Sequence, residues 1–222
     1  MNDQQRSLEQ IQDIKKMMER SSRFISLSGW SGVAAGGCAL VGAWFGHGAL
    51  SGGLVGRQAV EFNNTPLQRG GNVVSDFVDY TNLVSRLIWI AFFTFIAAFV
   101  LAFLFTWIRS KKQNIPLWGN ASMRLAVNVI IPMMAGGFFL LRALQLGYWE
   151  ILAPGCLIFY GLALVNGSKY TLGEIKYLGY LQIILGIINL WFVGSGLLFW
   201  AAGFGIMHIL YGLIMWWKYE RS

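Results

Sequence analysis

The chain alternates between long apolar runs and shorter polar ones. Six apolar runs stand out, at about 24–45, 87–108, 125–146, 149–165, 177–193 and 197–217. A helix needs about 20 mostly apolar residues, within a range of roughly 17–25, to cross the hydrocarbon core of a bilayer. Each run meets that length. The pattern predicts an all-α fold: a polytopic transmembrane helical bundle of six spans, one membrane domain over 24–222. Two links are so short that they read as tight turns, Gly147-Tyr148 and Gly194-Ser195-Gly196. Spans 3–4 and 5–6 are therefore expected to be helical hairpins. Pro132 and Pro154 fall inside spans 3 and 4. Each predicts a kink, because proline removes a backbone donor.

The polar segments carry their own pattern. In 1–23, Leu8, Ile11, Ile14 and Met18 recur at spacings of three and four, one face of a helix. Ser7 and Gln10 fit a capping box at its start. Lys15, Lys16, Arg20 and Arg23 crowd the end next to the first span. The segment reads as a cytoplasmic amphipathic juxtamembrane helix. It either lies on anionic lipid or serves as a face for a protein partner or for self-association. The other long polar segment, about 47–82, is rich in Gly and Asn and is expected on the external side. The helix of span 2 is expected to begin within it, with Ser75 as N-cap and Asp76 and Asp79 in the first turn.

Composition sharpens this picture. The chain has 222 residues, 56% of them hydrophobic and 12% charged. A soluble domain carries roughly 25% charged residues, so no separate soluble domain is expected. The net charge of +7 matters through its location. Thirteen of the 17 Lys and Arg fall in the N-terminal segment, the 2–3 and 4–5 links and the C-terminus. Four, Arg57, Arg69, Arg86 and Arg142, fall on the other side. The bias predicts both termini in the cytoplasm, and nucleic acid is not expected as a partner.

The stretch "GWSGVAAGGCALVGAWFGHG", 29–48, has three possible readings. A phosphate-binding loop needs a Lys after its glycines, and no Lys or Arg lies between Arg23 and Arg57. A lipoprotein signal fits Ala35-Gly36-Gly37-Cys38, but some 23 polar residues precede the apolar run, against the short basic start of a signal peptide. A membrane helix remains. Ser28, Gly32 and Gly36, then Gly42 and Gly46, form small-residue ridges at spacings of four. Such ridges let helix backbones approach closely where lipid supplies no hydrophobic drive. Internal packing is the expected use and dimerisation the alternative.

The two hairpins also look alike. Trp149 and Trp200 lie 51 residues apart, as do Tyr160-Gly161-Leu162 and Tyr211-Gly212-Leu213. Spans 3–4 and 5–6 are expected to be a degenerate parallel repeat.

Candidate chemistry is sparse. Charges inside a bilayer are costly and are functional suspects. Arg142 and Glu150 flank the 3–4 turn and are expected to pair there, as a clasp or as part of a substrate path. Arg86 enters the outer end of span 2, placed to snorkel. His208 lies near the middle of span 6. It is expected either to relay or sense protons or to hydrogen-bond a neighbour such as Tyr160 or Asn189. Cys38 and Cys156 sit in apolar stretches and read as small core residues. No catalytic, cofactor-binding or metal-binding constellation is visible, and no enzyme activity is expected.

The strings "KKMMERSSRFISLSGWSG", "YGLALVNGSKYTLGEIKYLGYLQIILGIINL" and "GLLFWAAGFGIMHILYGLIMWWKYE" resemble an uncharacterised six-span inner-membrane protein family of Bacteroidetes. The resemblance implies a bacterial inner-membrane protein and no substrate. The hairpins are also loosely similar, in architecture, to six-span acid-resistance membrane proteins of the HdeD type. The sequence thus suggests a membrane partner, regulator or stress-response component. The alternative is a small-solute or ion transporter with a polar path near Arg142, Glu150 and His208.

Overall fold

The computed structural model describes residues 28–61, 69–113, 119–192 and 194–221, without side chains over 52–81. The expected amphipathic face of Leu8, Ile11, Ile14 and Met18 lies outside the described residues. All regular structure among the described residues is helical. We number the helices α1 (Gly29–Glu61), α2 (Arg69–Gln113), α3 (Asn120–Gln145), α4 (Leu152–Gly167), α5 (Ile175–Trp191) and α6 (Gly196–Tyr219). A 3-10 turn leads into α4 at Trp149–Ile151 and another leaves it at Ser168–Tyr170. Within α6, Ala201–Met207 is wound as a π-helix.

Among the described residues, five stretches are long and apolar enough to cross a membrane: Gly29–Ser51, Asn82–Lys112, Asn120–Gln145, Trp149–Tyr170 and Gly196–Tyr219. The helix α5 is apolar with 17 residues, or about 25 Å at 1.5 Å per residue, the short end of the spanning range. The six-span reading agrees with this count. Some boundaries differ. The helix α1 continues to Glu61 and α2 already begins at Arg69. Ser75, expected as an N-cap, is therefore inside α2. No proline interrupts 29–61, and Ser51 Oγ donates back to the His47 carbonyl at 2.6 Å within the continuing helix. Pro154 is the third residue of α4, where the missing N–H belongs to a donor that has no helical partner in any case. Pro132 lies in the interior of an unbroken α3.

The hairpin turns form as expected. Gly147 and Gly194 both have positive φ, 80° and 87°, where a side chain is strained. At the first turn, Tyr148 N–H donates to Ala143 O at 2.9 Å and Gly147 N–H to Leu144 O at 3.1 Å. This is a Schellman closure of α3. It also explains why the expected Arg142–Glu150 pair is not made. Arg142 Nη1 donates to Gln145 Oε1 at 3.2 Å, and both Arg142 and Glu150 are exposed. Arg142 stands in the last turn of α3 and Glu150 in the first turn after it. Each charge already faces the helix end whose dipole it complements. Backbone hydrogen bonds, not an ion pair, close the hairpin.

Small residues hold the bundle together. The helix α4 packs on α3 and α5, and α1 packs on α2 and α6. The ridge of α1 is spent internally. A Cβ on Gly29 would meet Gly212 O at 2.5 Å, one on Gly32 would meet Gly212 Cα at 3.1 Å, and one on Gly36 would meet Gly205 O at 2.6 Å. Gly42 abuts Thr94 of α2, and Gly46 meets Leu197 at 3.2 Å. The α4/α5 contact has the same register. Gly161 and Gly179 face each other's carbonyls, at 2.7 and 2.8 Å from the Cβ positions, as Gly212 and Gly29 do at 2.5 Å. Gly186 sits over Pro154 O and Ile158, as Gly36 sits over Gly205 O and Ile209. The antiparallel pairs α4/α5 and α6/α1 are thus packed alike, with α4 and α6 positions 51 residues apart.

Candidate functional site: a polar cluster inside the bundle

The buried stripe of α5 runs Ile175, Leu178, Gly179, Gln182, Gly186, Asn189. Spacings of three and four put two amides on the face turned toward α4 and α6. Gln182 is 0% exposed and His208 7%. They meet at the π-helical stretch of α6. His208 Nδ1 lies 2.9 Å from the carbonyl oxygen of Gly203. A carbonyl only accepts, so Nδ1 carries the proton. The neutral ring then offers the lone pair of Nε2, and the Tyr160 hydroxyl of α4 donates to it at 2.8 Å. Gln182 Nε2 donates to the same Gly203 carbonyl at 2.7 Å. One backbone oxygen thus takes two side-chain donors, at a point where the winding leaves the α-helical hydrogen-bond pattern. Such π stretches recur at functional sites.

Aromatic rings frame the imidazole. Phe204 stacks on His208 with centroids 6.0 Å apart, Tyr160 lies 5.4 Å from His208, and Trp200 continues the row at 5.4 Å from Phe204. A Cβ on Gly203 would lie 2.5 Å from Leu157 and 2.6 Å from Gln182 Oε1, so glycine is what lets α5 approach. Three polar atoms around the site are buried without a hydrogen-bond partner: Gln182 Oε1, Asn189 Nδ2 and Tyr211 Oη. Asn189 lies two turns along α5 from Gln182, and His208 bonds to Tyr160 rather than to it.

Other expected residues fall elsewhere. Arg86 is exposed on α2, free to snorkel. Glu150 precedes Tyr160 by ten residues, about 15 Å along a helix, with Pro154 and Leu157 buried between them. The structure does not join Arg142 and Glu150 to His208. Cys38 and Cys156 are free thiols, partly buried. Among the described residues no three His, Cys, Asp or Glu side chains gather as a metal site.

A second polar cluster closes the end of the bundle where α1 begins and α6 ends. Glu220 Oε1 accepts from Arg109 Nη1 of α2 at 2.6 Å, from Gly29 N–H at 2.5 Å and from Ser28 Oγ at 3.2 Å. The carboxylate sits at the positive start of α1 and neutralises a guanidinium near the end of α2. Beside it, Glu174 Oε1 accepts from Lys218 Nζ at 2.5 Å and from Tyr219 Oη at 2.7 Å. Burial raises the Glu174 carboxyl, but the hydrogen bonds from Lys218 and Tyr219 outweigh it and hold the group below its ordinary value. Sequence reasoning counted Arg109 and Lys218 only as orientation charges. Glu220, the one acid at the C-terminal end, was the available signal.

These features define a multi-pass helical membrane protein with a polar cluster inside the bundle. Comparison with protein-family models, characterised proteins and solved structures finds no match.

Proposed function

We propose that this chain is a non-catalytic membrane regulator or stress-response component that works through a protein partner. The observation that carries the reading is how the polar groups are used. Both nitrogens of His208 are taken by groups of the same chain, and the glycine ridge of α1 is buried against α6 and α2. The ridge and the imidazole are therefore engaged within the chain, and partner contact falls to the end where 1–23 enters α1. Glu220 and Arg109 tie that junction to the bundle. The Lys and Arg bias supports a cytoplasmic position for both termini. The resemblance to the Bacteroidetes family supports a bacterial inner membrane. The like packing of α4/α5 and α6/α1 supports the likeness of α4 to α6 at an offset of 51 residues, and not the pairing of hairpin 3–4 with hairpin 5–6. The test is co-purification from mild detergent, with a 1–20 deletion run alongside. A partner lost on deletion is the expected result. A partner retained by a correctly inserted deletion variant overturns the role of the N-terminal segment.

The second reading is a small-solute or ion transporter. What favours it is the pair of buried, unpartnered atoms beside His208, Gln182 Oε1 and Tyr211 Oη. It requires flux that changes in His208→Ala while the protein stays folded.

A further inference from the structure

We propose that His208 is a proton-binding site, loaded by water from the end of the bundle that carries Glu174, Lys218 and Tyr219. This goes beyond the partner reading, since it concerns the bundle interior and not the N-terminal segment. Three observations converge on it.

The ring has one lone pair that can take a proton, on Nε2, and it is engaged by an exchangeable group. Nδ1–H is held by the Gly203 carbonyl, and Nε2 accepts from the Tyr160 hydroxyl. Uptake of one proton at Nε2 leaves the Nδ1–H bond to Gly203 intact and breaks the Tyr160 O–H to Nε2 bond, which re-forms in reverse. The new Nε2–H donates to Tyr160 Oη, whose own hydrogen rotates away, and the imidazole becomes an imidazolium.

The cluster also has places for the carrier. Gln182 is wholly buried with Oε1 unpartnered, and the Tyr211 hydroxyl is buried without a partner. Water suits both, because it donates to an amide oxygen and exchanges hydrogens with a phenol. Tyr211 is one turn beyond His208 in α6. Farther along the same helix, Tyr219 Oη donates to Glu174 Oε1 at 2.7 Å. Along α6, Tyr211 and then Tyr219 thus follow His208 toward the end that carries Glu174, while Tyr160 stands at the ring itself.

The opposite direction is mostly apolar, with Asn189 as its polar exception. Leu157 and Pro154 are fully buried, Leu157 presses on Gly203, and Phe204 and Trp200 stack beyond it. Among the described residues no carboxylate stands at this level to balance a cation. The titratable groups on the packed elements are Tyr160 and Cys156 on α4, Tyr211 on α6 and Cys38 on α1, while α5 presents the amides Gln182 and Asn189. Glu174 and Lys218 pair with each other at the end of the bundle, and Lys176 lies in the first turn of α5 at that same end. Proton uptake therefore strains the α4–α6 contact at the π stretch, which gives the site a structural output.

The chain has only two histidines, so His47→Gln leaves His208 as the sole imidazole. Imidazole nitrogen NMR on 15N-histidine-labelled full-length protein in lipid, titrated from about pH 8 to about pH 5, brackets the ordinary imidazole range. The expected result is an Nδ1–H neutral ring that converts to imidazolium. Tyr211→Phe should slow proton exchange at that ring about tenfold, which is about 1.4 kcal/mol on the barrier. A ring that stays neutral while circular dichroism reports a folded protein overturns the site. Unchanged exchange in Tyr211→Phe overturns the route. Should His47→Gln misfold, subtraction of the His208→Gln spectrum from that of the unaltered chain gives the same readout. Loss of the partner interaction would leave these spectra unchanged, so the two readings fail separately.

Discussion

Gly36 and Gly37 are neighbours in α1 and chemically identical, yet the packing assigns them opposite responses to a single methyl group. On Gly36 the added Cβ falls 2.6 Å from Gly205 O, 2.7 Å from Ile209 Cγ1 and 3.0 Å from Ile209 N, against 3.4 Å for ordinary contact. The shortfall to the carbonyl, 3.4 minus 2.6, is 0.8 Å. Two of the three obstacles are backbone of α6 and do not rotate away, so the helices must part and loosen Gly29–Gly212 as well. Overpacking costs about 1–3 kcal/mol, and a backbone obstacle places Gly36→Ala toward the upper end. On Gly37 the Cβ meets nothing within 4 Å. Both substitutions gain about 0.5–1 kcal/mol from helix propensity. Gly36→Ala is thus expected to lose about 1–2 kcal/mol net and Gly37→Ala to gain up to about 1 kcal/mol. The gap of roughly 2–3 kcal/mol is measurable by reversible denaturation in mixed micelles, followed by circular dichroism. Gly136→Ala, against Phe159, and Gly137→Ala, in open space, supply an independent pair on α3. Equal effects at Gly36 and Gly37 would refute the close α1–α6 contact.

Three further outcomes follow from the polar clusters. Tyr160→Phe removes the donor to His208 and should cost about 1 kcal/mol, whereas Tyr211→Phe removes an unpartnered hydroxyl and should be neutral or stabilising; equal losses in the same denaturation assay would contradict the hydrogen-bond assignment. Glu220→Gln leaves Arg109 without its carboxylate and α1 without its capping charge, an expected loss of about 2 kcal/mol. Arg109→Met in that background should restore part of it, and additive losses in the double-mutant cycle would show that the two do not act as a pair. The lowered Glu174 carboxyl makes a stabilising contribution that is complete above the ordinary carboxylate value and is lost as pH falls through the folded-state value. Melting temperatures of the unaltered chain and Glu174→Gln should therefore differ near neutral pH and converge in acid; a constant difference would remove Glu174 from the pH response.

What was legible in the sequence was whatever repeats along the chain. Apolar run length gave the helices, Gly147 and Gly194 gave the turns, and spacings of four gave the ridge that α1 packs inward. Tyr160 was named as a neighbour of His208 because both sit at mid-span. Interactions between distant segments were not legible. Nothing local in Glu220 points to Ser28, Gly29 and Arg109, and nothing in Gln182 announces that its amide meets the Gly203 carbonyl. The π stretch depends on tertiary contacts that no residue pattern displays. Arg142 and Glu150 misled because nearness in sequence suggested a pair. The turn geometry instead gives each charge its own helix end.

The proposed repeat makes the polar cluster more informative than its individual bonds. Positions 51 residues apart in α4 and α6 do the same packing work: Pro154 and Gly205, Ile158 and Ile209, Gly161 and Gly212. The same offset pairs Leu157 with His208, and there the likeness stops. Leu157 is an apolar core residue, 0% exposed, while His208 carries the bundle's buried imidazole. Both converge on Gly203, Leu157 on its Cα side and His208 on its carbonyl. The facing helix departs at the same level. Where α5 places Gln182, the matching register of α1 places Gly32, which touches Gly212 and the His208 carbonyl. A scaffold under selection for packing alone has no use for this difference, since burying unpaired amide and phenol oxygens costs stability. Local departures that oppose the packing logic are expected at functional positions. The asymmetry therefore singles out His208 and Gln182, where the two halves differ, from the glycine seams and from Tyr160 and Tyr211, where they agree.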